Sequence, residues 1–276
     1  MQVKETSLLR STLFVPGNRP ERFIKAVQAH AGAVIIDLED AVAPGDKLTA
    51  RSTVAKQIDA LHMAAQAAKC GLFVRINAYG SPWYEDDARL CAQLPLQGVL
   101  VPKPQSAEQI AQVWKWTGHK PLHLLMETLQ SFASIAELSR ADGVARLMLG
   151  CADLMSELNI RDDDQPLNYF RTQLVMHSVL AGLPAPIDGP CLDLYNQELL
   201  AQEIDRAMRF GFGAKACIHP QQVSSVDSGF KPTPAQIAWA QKVLSTSTDG
   251  RAVSMDGKLI DGPICTQAAR ILAAAA

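Results

Sequence analysis

The 276-residue sequence predicts a (β/α)8 barrel. Three observations carry that expectation. Eight short apolar segments recur along the chain, each suited to a strand buried on both faces. Each ends in a polar or charged residue just before a turn, and a helix-like stretch follows. Eight such units fit the length of about 250 residues that an α/β barrel needs. Strict alternation argues for a parallel sheet. No G-x-G-x-x-G follows the first strand, which weighs against an open dinucleotide-binding sheet.

The elements follow in order. The first strand is LFVPG (13–17). Pro20 then opens a helix through residue 30, with Phe23, Ile24, Val27 and Ala31 on one face. VIIDLED (34–40) and a long Ala-rich helix (47–68) form the second unit, and LFVRIN (72–77) with helix 83–94 the third. VLVPKP (99–104) precedes helix 106–116, and LLMET (124–128) precedes helix 131–140. LMLGCAD (147–153) leads into a polar stretch, 154–168, read as a long site-lining loop. Within it Asp162, Asp163 and Asp164 read as a solvated turn. Helix 170–182, strand PAPIDG (184–189), helix 195–211, strand ACIHP (216–220) and helix 221–230 complete the barrel. Residues 1–230 are thus expected to form the catalytic barrel. Residues 231–276 read as a helical extension with a hairpin-like turn, a lid or a subunit contact.

Composition excludes several classes. Apolar residues make up 48%, enough for a large core, and the net charge of −2 lacks the basic excess of a nucleic-acid binder. No run of 18 apolar residues suggests a membrane span, and MQVKETSLLR lacks the apolar core of a signal peptide. Six scattered cysteines without a C-x-x-C pair point to reduced thiols and a cytoplasmic location. Cys151 and Cys217 lie near strand ends as candidate nucleophiles, against which the usual burial of free Cys weighs.

Barrel chemistry gathers at the C-terminal strand ends. Glu127 and Asp153 end neighbouring strands five and six, and two carboxylates with waters and substrate oxygens suit Mg²⁺, or Mn²⁺. Each carboxylate could instead cap the following helix. Arg75 is costly to bury without a partner. Its planar fork suits a substrate carboxylate or carbonyl, or an ion pair with Glu39 or Asp40. Strand alternation puts Asp37 and Glu39 on one face and Asp40 on the other, so not all three are expected to point inward. Lys103 reads as a Schiff-base lysine or, more simply, as the partner of a nearby acid. Pro16, Asp37 and Lys103 are further candidate substrate contacts. His219 reads as a hydrogen-bonded structural residue. The helix start in VPGNRPER, with Arg19 and Arg22, is a weak phosphate motif.

These residues sit in RSTLFVPGNRPERFIKA, AVIIDLEDAVAPGDKLTAR, VRIN, GVLVPKP, MET, LGCADL, PIDGP followed by Asp193, GFGAKACIHPQQV and GKLIDGP. With them the chain resembles the HpcH/HpaI aldolase superfamily, in its citrate lyase β-subunit-like branch, from residue 10 to about 263. The resemblance implies a barrel assembled as a trimer or hexamer, with Mg²⁺ held by Glu127 and Asp153. It implies that Arg75 and Glu127 contact the substrate acid, and that Asp261 is an acid/base. It implies an acyl thioester carried by coenzyme A or a carrier-protein prosthetic group. The expected reaction is cleavage or formation of a citryl, malyl or citramalyl thioester. The chain departs from the family at Leu129, Gln130 and Ser131, at Asn159, where Gly is common, and at Ala214. The alternatives are a class II aldolase on free 2-oxo-4-hydroxy acids, a malate-synthase- or thioesterase-like activity, a subunit active only within a citrate lyase complex, and a degenerate binding protein. No nucleic-acid or membrane partner is expected.

Overall fold

A computed structural model describes residues 9–162, 164–246, 253–255 and 257–275. Asp163 of the acidic run and most of the N-terminal MQVKETSLLR segment lie outside these residues. The chain divides into two compact units between Asp227 and Ser228.

In the first unit, β1 (Ser11–Pro16), β2 (Ala33–Asp37), β3 (Gly71–Arg75), β4 (Gly98–Pro102), β5 (Leu122–Met126), β6 (Val144–Leu149), β7 (Ile187–Asp188) and β8 (Ala214–Cys217) close into a barrel in chain order. The strands are parallel, and β8 pairs back onto β1. The intervening helices are α1 (Phe23–Gln28), α2 (Lys47–Ala67), α3 (Tyr84–Gln93), α4 (Ala107–Trp116), α5 (Leu129–Ala133), α6 (Ile135–Leu138), α7 (Cys151–Leu158), α8 (Asn168–Leu180) and α9 (Gln197–Phe210), with α10 (Pro220–Gly229) after β8. No helix among the described residues is long and apolar enough to cross a membrane.

The period of two along each strand decides what fills the barrel. Ala33, Ile35, Phe73, Leu100, Leu125, Met148, Ile187 and Ala214 form one buried cluster, with Phe14 packed against it. The next residues on the same faces are Asp37 after Ile35, Arg75 after Phe73 and Glu127 after Leu125. The apolar column therefore ends in charge at the C-terminal mouth.

Several elements differ from their sequence readings. PAPIDG supplies only the two residues of β7, because Pro184 and Pro186 cannot donate to a ladder. The helix expected over 131–140 is two short pieces, α5 and α6, meeting at Ser134. The stretch 154–168 is no long loop, since Leu154–Leu158 continue α7. That helix ends at Asn159 with φ +54°, a left-handed cap that Asn tolerates better than most residues. Asp164 of the acidic run pairs with Arg206 at 3.2 Å.

Outside the strand layer lies a buried ionic cluster. The Lys215 ammonium is 2.7 Å from Asp188 and 2.9 Å from Glu203, and all three side chains are buried. Burial opposes the Lys215 charge, but the two carboxylates outweigh it and raise its pKa. These three residues tie the short β7 to β8 and α9.

The second unit contains α11 (Pro234–Thr246), an antiparallel hairpin of β9 (Val253–Met255) and β10 (Lys258–Ile260), and α12 (Gly262–Ala275). Ala240, Val243, Met255, Ile260 and Ala268 form its core. The extra helix, hairpin and final helix match the sequence reading of the tail.

Replacing Lys215 with Ala removes the nearest cation from two buried carboxylates and leaves Asp188 with the buried Arg171 at 3.9 Å. The expected loss is about 3–5 kcal/mol of stability, read by urea denaturation. A loss below about 1 kcal/mol would show that water reaches the cluster.

Candidate active site

Arg75 and Asp37 are directly opposed across β2 and β3. The Arg75 Nε donates to Asp37 Oδ1 at 2.7 Å and Nη2 donates to Oδ2 at 2.6 Å, a two-point fork. Nη1 reaches Asp40 Oδ2 at 3.2 Å and Glu39 Oε2 at 3.0 Å. The expectation that alternation would turn Asp40 away is corrected here. β2 ends at Asp37, and the backbone then bends. The amides of Glu39 and Ala41 donate to the Asp37 carboxylate, which wraps the turn around it. All three acids thus meet one guanidinium. Burial pushes the Asp37 pKa up, but Arg75 reverses this and leaves it lowered. Burial likewise opposes the Arg75 charge, and Asp37, Glu39 and Asp40 overcome it.

Lys103 enters from the end of β4. Its ammonium is 2.8 Å from Asp153 Oδ2, 2.9 Å from Glu39 Oε1 and 4.0 Å from Glu127 Oε1. It is an ion-pair residue, the simpler of its two sequence readings. Lys47 donates to the carbonyls of Leu38 and Glu39 from below the turn. Glu127 follows β5 directly and is 3% exposed. It fits because residue 150 is Gly: a Cβ there would stand 2.3 Å from the Glu127 Cβ. Asp153 lies in the first turn of α7, not on a strand, where the helix N-terminus favours a carboxylate. It does not supply the N-cap, which is Gly150.

Glu127 is the least satisfied group. Its Oε1 is buried without a hydrogen-bond partner. Burial raises its pKa well above the usual carboxylate value; Glu39 and Asp153 add to the rise, while Arg75 and Lys103 oppose it. Among the described residues, the five carboxyl groups of Asp37, Glu39, Asp40, Glu127 and Asp153 meet three side-chain cations, Arg75, Lys103 and Lys47. An added cation therefore suits this mouth. Among the described residues no three His, Cys, Asp or Glu side chains form a metal cage. Glu127 and Asp153 supply two oxygen donors, which fits an ion that keeps water and substrate oxygens as its other ligands.

These groups border a cavity of about 380 Å³. Asp37, Arg75, Glu127 and Asp153 form its polar wall, with Phe14, Leu125, Met148 and Ile218 as the apolar wall and Pro16 at the edge. Cys151 also lines it. Cys217 is buried and its thiol pushed up to about 12 by burial, which removes it as a nucleophile. His219 accepts from the Gln221 amide, as its structural reading expected. In VPGNRPER, Arg19 pairs with Glu21 at the surface. Asp261 belongs to the second unit. Its Oδ1 accepts from the Ile264 amide at 3.3 Å and caps α12. The first unit thus gathers Pro16, Asp37, Arg75, Glu127 and Asp153 around one cavity, while Lys103 does not line it and is tied to it through its ion pair with Asp153. The bidentate Asp37–Arg75 pair is what sequence reasoning missed, although equal spacing from the starts of adjacent parallel strands was a readable signal.

A closed parallel barrel with a charged cavity at its C-terminal mouth defines a barrel enzyme. Residues 10–220 match the HpcH/HpaI aldolase/citrate lyase family, a lyase family, and the chain belongs to it. A citrate lyase subunit beta-like protein of Mycobacterium tuberculosis is 31% identical, covering 94% of this chain and 93% of that protein. A (3S)-malyl-CoA thioesterase of Cereibacter sphaeroides is 28% identical, covering 96% and 94%. The crystal structure of CitE from Mycobacterium tuberculosis in complex with magnesium, acetoacetate and coenzyme A superposes with a TM-score of 0.85 at 29% identity, covering 98% of this chain and 99% of that one.

The raised Glu127 pKa fixes the sign of a pH effect. A carboxyl with a higher pKa in the folded state contributes stability below its unfolded value, near 4.5, and loses it as pH rises through the folded value. In chelator, Glu127→Gln should therefore gain stability relative to the native protein between pH 5 and 8, measured by thermal denaturation. A pH-independent difference would contradict the assignment.

Proposed function

We propose that the chain is a Mg²⁺-dependent carbon–carbon lyase. Its substrate is a 3-hydroxyacyl thioester of the citryl, malyl or citramalyl type, on coenzyme A or a carrier-protein prosthetic group. Its products are a 2-oxo acid and an acyl thioester. The observation that carries this reading is the buried Glu127 Oε1, without a hydrogen-bond partner, beside Asp153 in a mouth rich in carboxylates. Magnesium and coenzyme A in the CitE complex support it.

Glu127 and Asp153 would hold the divalent ion, which when bound supplies Lewis-acid polarisation of substrate oxygens. Arg75 is held in one orientation by Asp37, so its guanidinium needs little reorganisation to stabilise negative charge developing on the substrate. The remaining Nη2 hydrogen, outside the fork with Asp37, is the donor for that task. The apolar wall excludes water from the carbon being cleaved. A base removes the substrate hydroxyl proton and the C–C bond breaks. Asp261 is the candidate that protonates the resulting thioester enolate, or removes the α-proton in the condensing direction. Completing the reading, the protein is a cytoplasmic homotrimer or hexamer, alone or with other citrate lyase subunits.

Thioester hydrolysis is the second reading, favoured by the (3S)-malyl-CoA thioesterase relative. The two separate in one assay. A lyase releases pyruvate, glyoxylate or oxaloacetate in a Mg²⁺-dependent reaction, whereas a hydrolase releases free thiol without 2-oxo acid. No 2-oxo acid from any of these thioesters, with metal present, would refute the lyase reading. Arg75→Lys should lower kcat by about 10²–10³-fold with little change in metal uptake. Size-exclusion of the isolated protein beside the assay tests stand-alone function.

A further inference from the structure

Lys103 carries an unexplained combination of strain and aim. Its φ is +48°, although it stands between Pro102 and Pro104. A non-glycine residue in the left-handed region is uncommon, and a following proline further restricts the backbone. Such strain persists only where the surroundings impose it. Here the loop is pinned on its far side. The fully buried Ser131 hydroxyl donates to the Pro104 carbonyl at 2.7 Å, and the Gln105 amide donates to the buried Gln109 side chain at 2.7 Å. The held turn delivers the Lys103 ammonium to 2.8 Å from Asp153, 2.9 Å from Glu39 and 4.0 Å from Glu127.

We propose that Lys103 is a built-in competitor for the cation site of Glu127 and Asp153, so that it sets how tightly the site holds a divalent ion. The inference rests on the metal reading above. An ammonium 2.8 Å from Asp153 Oδ2 neutralises part of the charge that would attract the ion. Mg²⁺ binds carboxylate oxygen at about 2.1 Å, so the two cations repel across the same carboxylate in a half-buried setting. The ammonium has an alternative position at hand. Glu39 is already at 2.9 Å and Asp40 at 3.8 Å. Occupation of the site shifts Lys103 off Asp153 and onto these two acids. Competition of this kind keeps the affinity moderate and the ion exchangeable, and it makes Lys103 a positioning residue for the metal ligands.

The test is direct Mn²⁺ titration of the full-length protein, followed by electron paramagnetic resonance of the free ion. Lys103→Met keeps the side-chain length and removes the charge, and should lower the Kd at least about fivefold, the lower end of usual coupling between sites. Lys103→Arg keeps the charge and should stay near the native Kd. An unchanged or raised Kd in Lys103→Met overturns the inference. If Lys103→Met does not fold by circular dichroism, Lys103→Gln is judged by the same criterion. Glu127→Gln separates the two layers of the argument. If the native protein takes up no Mn²⁺, or Glu127→Gln leaves uptake intact, the metal reading fails and the Lys103 inference with it. If uptake depends on Glu127 but neutral Lys103 variants bind no tighter, the Lys103 inference alone fails.

Discussion

The buried fork between Arg75 and Asp37 is the constraint on which the mouth of the barrel depends. It joins the ends of two adjacent strands and organises four further groups. Asp37 accepts two backbone amides and so shapes the turn that presents Glu39 and Asp40. Those acids reach back to Arg75 and onward to Lys103, which in turn touches Asp153. One pair thus sets a chain of charge running around half of the opening. Buried ion pairs add little net stability once desolvation is counted, yet removing one partner is severe because the other is left uncompensated. The value of this pair is therefore orientation. The Arg75 guanidinium can be pre-aimed only because its other edge is already occupied.

The same cage explains why Glu127 is uncomfortable. It lies just past the apolar column, against Gly150 and among other acids, with one oxygen unpartnered. A folded protein rarely leaves such an atom without reason. The stability forgone there belongs with the strained backbone of Lys103, in the part of the molecule where the proposed chemistry lies. The rest of the barrel compensates. Below the mouth an apolar cluster fills the interior, with the buried His123 ring against Phe73, and the Lys215–Asp188–Glu203 cluster secures β7, the strand with the fewest ladder bonds.

Much of the fold was legible because each strand is buried on both faces and therefore reads as an apolar run, while each helix shows its own spacing. The site was legible in part, since charged residues at the ends of apolar runs are conspicuous. Arg75, Glu127 and Asp153 stand out for that reason. The misreadings share one origin. Alternation ends with β2 at Asp37 and so says nothing of where Asp40 points, and the segment after β6 resembles a loop in sequence because its helix begins within the apolar run at Cys151. PAPIDG looked like a full strand by hydropathy, but its prolines forbid the hydrogen bonds.

By itself the sequence determined the barrel class, the order of its units, the family resemblance and the residue types at the strand ends, because periodicity and local composition are properties of neighbours along the chain. Only the tertiary structure decided which of those charges meet. The Arg75–Asp37 fork depends on strand register, the Glu127 environment on the absence of a side chain at Gly150, and the reach of Lys103 on a left-handed turn anchored by Ser131. Each joins residues 20 or more positions apart, and closing such distances is the work of packing the whole barrel.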